Sequence, residues 1–169
     1  MGIIKTVNGV TPEVEDGAYV DDTAVIIGDV RVASEASIWP HAVLRGDVGP
    51  IRIGARSNIQ DLSMVHCTED YSETVIGEEV TVGHRVILHG CTVRDRSLIG
   101  MGAILMDRAV VEENVVVAAG AVVLENAVLE SGYLYAGIPA KRIKPLSEDQ
   151  LQSLAKSAAH YVHYKNWYS

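Results

Sequence analysis

An aliphatic residue returns about every six positions through most of the chain: Val14, Val20, Ile26, Val32, Ile38, Leu44, Ile53, Ile59, Val65, Ile76, Val82, Leu88, Val93, Ile99, Leu105, Val111, Val117, Val123 and Leu129. Four residues after each stands Ala, Ser, Thr or Val in seventeen of these nineteen cases, and only Glu69 and Tyr133 break the rule. A period of six excludes the amphipathic helix, whose apolar residues return about every 3.6 positions, and the plain alternating strand. It predicts an all-β solenoid, a parallel β-helix in which one hexapeptide makes one side and three make a coil. The aliphatic residue then fills the interior, the small residue fits where the wall leaves little room, and coils stack at about 4.8 Å. Nineteen units give slightly more than six coils, each covering its neighbour.

Three steps break the period: Leu44 to Ile53 is nine residues, Val65 to Ile76 is eleven, and Leu88 to Val93 is five. Insertions in a solenoid become loops hung from a corner, often on the functional side. All three fall mid-chain, which directs attention there. The repeat ends near Gly132, and 133–144 reads as a loop around Pro139. Ser147 and Gln150 then form a capping box, with Glu148 and Asp149 suiting a helix N-terminus. Leu151, Leu154, Ala155, Ala158 and Tyr161 or Val162 give this helix one apolar stripe, which predicts that it packs along the outside of the prism. The chain thus divides into a β-helix over 1–134, a connecting loop over 135–146 and a C-terminal helix over 147–169, within one structural domain.

Composition narrows the setting. The 169 residues are 48% apolar and 21% charged, which excludes a disordered chain. There is no Phe, as suits a thin core of small aliphatic side chains. A net charge of -8 argues against nucleic acid or an anionic membrane as partner. No apolar run approaches the roughly 18 residues of a membrane span, and the N-terminus has no signal-peptide pattern. Cys67 and Cys91 are too few for a disulfide framework, so the expected compartment is the cytoplasm.

The repeat register sorts the six histidines, His41, His66, His84, His89, His160 and His163. His66 follows Val65 and His89 follows Leu88, so the two hold the same place in their hexapeptides. With 67–74 hung as a loop, they stack in adjacent coils. His84, two after Val82, lies on a neighbouring side and points elsewhere. A trimer about an axis parallel to the prism brings one subunit's His84 to another's His66 and His89, giving three imidazoles and an open position, the arrangement of a catalytic zinc. Arg45 falls one coil from His66 in the same column, and Asp61 holds the place His84 takes one coil later. A carboxylate there can fix a ligand's tautomer. The plainer reading of Arg45 and Asp47 is a surface pair of little energetic weight.

At LRGD (44–47), SNIQD (57–61), VH (65–66), VGHRVILHG (82–90) and IGMGAIL (99–105), extended by ESGYLYAGIPAK (130–141), the chain resembles γ-class carbonic anhydrase-like proteins. Within them it is similar to bacterial members that lack a long acidic loop. The resemblance implies a left-handed coil, a homotrimer and one metal per subunit interface, held by His66, His84 and His89. Zinc is the implied metal, with Fe2+ or Co2+ as alternatives. Gln60 is implied to orient the metal-bound water, with Asn58 nearby, Asp61 in the outer shell, and Arg45 and Asp47 joining subunits beside the site. Tyr161 matches a tyrosine that reaches the pocket, whereas His163 stands where asparagine is common. The implied activity is reversible hydration of CO2 to bicarbonate. Two departures touch its proton-release step: Val48 replaces a glutamate, and the insertion after His66 is short. Glu69, or Asp70 and Glu73, can stand in as shuttle, and the competing reading, slightly favoured, is solvated charges on a mobile loop.

Three other functions compete. A hexapeptide acyltransferase would use one histidine as base without a metal, and GIPAKRI (137–143) resembles the closing loop of such enzymes. A metal-dependent thioesterase would use the same site on an acyl carbonyl. A non-catalytic metal-binding trimer would use it on neither.

Overall fold

The structure is a computed structural model that describes residues 2–168. It is a left-handed parallel β-helix of about seven coils with one C-terminal helix. Each hexapeptide gives a short strand and then a corner. The residue three after the inward aliphatic turns that corner with a left-handed backbone: Glu35, His41, Arg56, Leu62, Glu79, Arg85, Arg96, Arg108, Asn114 and Asn126 all have φ between 55° and 62°. Each such residue is disfavoured by about 1–2 kcal/mol. Inter-coil bonds such as Arg85 N–H to Asp61 O, 2.9 Å, offset that cost.

Three parallel faces result, and the inward residues pair column by column. The first column runs Ile4, Ile26, Leu44, Val65, Leu88, Leu105, Val123. The second runs Val20, Ile38, Ile59, Val82, Ile99, Val117, Tyr135. The third runs Val14, Val32, Ile53, Ile76, Val93, Val111, Leu129. Of the nineteen aliphatic positions read from the sequence, eighteen are buried. Val14 is 38% exposed, because it lies in the first coil at the open end of the stack.

Other expectations are corrected. The step from Leu44 to Ile53 is no loop: Val43–Ile53 is one long strand beside Val25–Val32. Its extra residues are absorbed where the pairing shifts between Gly28 and Val30. Residues 133–144 are no loop either. Tyr133–Ala136 extends the second face, and Lys141–Pro145 returns antiparallel to it, while the 137–140 turn folds over Val122 through Val122 N–H to Gly137 O and Ala140 N–H to Val122 O. Tyr135, six after Leu129, is thus an inward residue beyond the nineteen, 6% exposed.

The helix Glu148–Tyr164 has the expected capping box between Ser147 and Gln150. Leu154 and Ala158 bury against the second face, whereas Ala155 is exposed and does not belong to the stripe. Thr81 Oγ1 to Ser157 Oγ, 3.1 Å, fixes its middle. Lys165, beyond its end, donates from Nζ to Gly17 O at 2.9 Å, so the helix straps the last coil back to the first. Among the described residues no helix is long and apolar enough to cross a membrane.

Candidate metal centre

The stack that makes Leu88 pair with Val65 also makes His89 pair with His66. Their rings lie 5.3 Å apart between centroids, and His66 Nδ1 stands 3.3 Å from His89 Nε2. The outer nitrogens are both taken. His66 Nε2 is 3.0 Å from Asp47 Oδ1, and His89 Nδ1 is 3.2 Å from Asp107 Oδ2. Burial alone would raise the Asp47 carboxyl, but bonds from Arg45, at 2.6 Å, and from His66 hold it below the usual carboxylate range. Asp107 is likewise lowered against burial, by Ser72, His89 and Thr68. Two ionised carboxylates only accept, so each outer imidazole nitrogen must carry the proton. With both rings neutral, the inner nitrogens are two lone pairs facing each other at 3.3 Å, which a cation between them would satisfy.

A zinc ion fits that spacing. Two nitrogens each about 2.0–2.1 Å from a tetrahedral centre are about 3.3–3.4 Å apart. A pair is half a site: among the described residues of one chain, no group of three His, Cys, Asp or Glu side chains can hold a metal.

His84 stands apart on the corner between the second and first faces. Its Nδ1 is 2.8 Å from Asp61 Oδ2, which leaves Nε2 available. The register places Asp61 one coil below it, as the sequence predicts. His84 and Asp61 line a cavity of about 230 Å3 with Trp39, Tyr161, Tyr164, Trp167 and Tyr168. Tyr161 packs edge-on against Trp39, with ring centroids at 5.4 Å. Burial, then the charges of Asp61 and Tyr164, push its phenol up. So Tyr161 meets the His84 side of the prism, away from the His66–His89 pair.

Gln60 and Asn58 are both buried. Asn58 Nδ2 donates to Thr81 Oγ1 at 3.2 Å, and its Oδ1 accepts from Gln60 Nε2 at 3.0 Å. Asn58 therefore fixes which way the Gln60 amide faces. Arg45 and Asp47 pair within the chain, and Asp47 bridges Arg45 to His66.

Glu69 lies exposed in a turn, without a hydrogen-bond or ion-pair partner among the described residues. The loop that carries it contacts the neighbouring coils. Thr68 and Ser72 bond Asp107, Tyr71 bonds Glu125, and the Arg108 guanidinium lies over the Tyr71 ring at 5.3 Å. Asp107 is the carboxylate against His89 that sequence reasoning did not single out. Its signal was positional: it stands two after Leu105, the residue paired with Leu88.

The chain matches no protein-family model. It is 49% identical to protein YrdA of Escherichia coli over 98% of this chain and 94% of that one. To a carbonic anhydrase of Geobacillus kaustophilus it is 46% identical over 98% and 91%. Mitochondrial gamma carbonic anhydrase 1 of Arabidopsis thaliana is 43% identical over 89% of this chain, which spans 56% of that protein. The crystal structure of a hexapeptide transferase family protein from Anaplasma phagocytophilum superposes with a TM-score of 0.96 at 42% identity, covering 99% of this chain and 98% of that one. With this repeat, these stacked histidines and these relatives, the chain belongs to the γ-carbonic anhydrase-like family of hexapeptide-repeat proteins.

Proposed function

We propose that the protein catalyses reversible hydration of CO2 to bicarbonate as a metal-dependent homotrimer, with zinc held by His66 and His89 of one copy and His84 of the next. The observation that carries this reading is the pair of inner imidazole nitrogens at 3.3 Å, each backed by a carboxylate on its other side. When bound, the metal supplies a water acidified to near neutral pH as the nucleophile. The chain's own part is positioning. Asp47, Asp61 and Asp107 each hold one imidazole by its outer nitrogen, and so direct the remaining nitrogen to the ion. The Gln60 amide, turned by Asn58, orients the attacking water toward CO2. Glu69, exposed on a loop pinned beside His66, takes the released proton to solvent. Supporting the trimer, the first face leaves Met64, Ile87, Ile104 and Val122 partly uncovered in one apolar row beside the histidine pair.

The transferase name of the structural neighbour favours acyl transfer as a second reading. An acyltransferase base needs one histidine with one free nitrogen, whereas two paired imidazoles backed by two carboxylates suit a cation. Stopped-flow CO2 hydration by zinc-loaded and anaerobically iron-loaded protein, against His66→Ala, tests the proposal. A rate well above that of the variant is expected. A rate equal to it, with one metal still bound per subunit, refutes CO2 hydration and leaves thioester hydrolysis or a non-catalytic site.

A further inference from the structure

Asp107 does two things at once. Its Oδ2 accepts from His89 Nδ1–H at 3.2 Å and also from Thr68 Oγ1 at 3.2 Å. Its Oδ1 accepts from Ser72 Oγ at 2.5 Å, and that same hydroxyl accepts the Thr68 backbone N–H at 3.0 Å. The carboxylate is only 16% exposed, and a hydroxyl fixes each of its oxygens, so its plane cannot turn away from the imidazole. Room for this clasp exists because residue 90 is glycine: a Cβ there would collide with both Asp107 Oδ1 and Ser72 Oγ. Gly90 also lies directly after His89, and its N–H is held by Thr74 Oγ1 at 2.9 Å, at the end of the same loop. The two ends of the insertion and the histidine therefore meet on one carboxylate and one glycine.

We propose that Asp107 is a positioning residue that joins the 67–73 loop to His89, so that loop order and metal affinity depend on each other. The inference rests on the metal reading above. With the loop closed, Thr68 and Ser72 hold the carboxylate, and the carboxylate holds His89 as the Nδ1–H tautomer with Nε2 facing His66. With the loop open, the carboxylate turns freely and the ring loses its fixed orientation. Coupling of this kind is reciprocal, so a metal that selects the oriented ring must also order the loop.

The test uses the full-length oligomer. Zinc affinity is measured by chelator competition, the visible spectrum is recorded with Co2+, and backbone hydrogen exchange of 67–73 is followed with and without zinc. Asp107→Ala is expected to weaken zinc binding about 10–100-fold, the usual loss for such outer partners, and to alter the cobalt spectrum. The Thr68→Val/Ser72→Ala pair, which leaves the His89 bond intact, should weaken zinc less and still abolish the protection that zinc gives the loop. Asp107→Asn keeps the volume and an acceptor for His89 but not the charge. It should restore loop protection with part of the affinity still lost, and it serves if the alanine variant does not fold. Zinc binding by Asp107→Ala or Asp107→Asn within about twofold of the native value, or loop exchange indifferent to zinc, overturns the proposal. His89→Ala separates the two readings: if it too binds zinc like the native protein, the metal centre itself is refuted.

Discussion

Replacing Leu88 by Ala removes three carbon atoms from the centre of the first column. The side chain is fully buried between Val65 and Leu105, and both neighbours are held by ladder pairs. Three methylene equivalents at about 0.8 kcal/mol each amount to about 2.4 kcal/mol. The coils cannot close on the void without breaking their own stacking, so a cavity term of about 1–2 kcal/mol adds to it. The expected loss is about 3.4–4.4 kcal/mol. Urea unfolding of zinc-loaded protein at matched protein concentration measures it, because oligomer stability depends on concentration. Val128→Ala, at a side chain 60% exposed on the third face, is the control and should cost under about 0.5 kcal/mol. A loss at Leu88 below about 1 kcal/mol would refute the idea that each coil is packed rigidly on the next. Leu88 immediately precedes His89, so zinc affinity should fall with stability in the same variant.

Cys91 is fully buried and its thiol is pushed up to about 12, first by burial, so it should resist alkylation at pH 8 in the native protein and react at once in denaturant. Burial, then the bond to Asp21, push the Tyr19 phenol up to about 12; a Tyr19→Phe difference titration of phenolate absorbance should show that step, and a transition near 10 would contradict it. At Asp21, burial raises the carboxyl, but bonds from Thr23 and Tyr19 bring it below the usual range. Its stabilisation is complete above the unfolded value of about 4 and is lost as pH falls through the lower folded value, so Asp21→Asn should flatten the acid limb of the stability profile and leave its slope above pH about 5 unchanged. Ser147→Ala removes the helix cap and should cost about 1 kcal/mol by thermal unfolding.

The three columns were legible in the sequence because a solenoid repeats one local problem, and nineteen independent solutions to it leave a clear period. The His66–His89 stacking followed from the same register once 67–74 was set aside as an insertion. What the period did not carry were the places where the chain leaves it. Val43–Ile53 looked like a loop because a strand can absorb extra residues by shifting its pairing, which changes the count without breaking extension. Tyr135 was overlooked because the terminal coil accepts an aromatic where inner coils take Val, Ile or Leu. Asp107 and its clasp depend on where a loop folds back across coils, a contact between residues 35 and 39 apart that no periodicity encodes.

The antiparallel return of Lys141–Pro145 against Tyr133–Ala136 has a consequence for how the molecule behaves in a crowded solution. A stack of identical parallel coils presents, at each end, a backbone template for the next coil, and the next coil need not belong to the same molecule. Here the terminal strand runs the opposite way, and its turn folds over Val122. A second molecule arriving head to tail would offer strands of the wrong polarity to the second face, where seven parallel rungs precede it. The second-face edge at this end is thus a poor template for one more parallel coil.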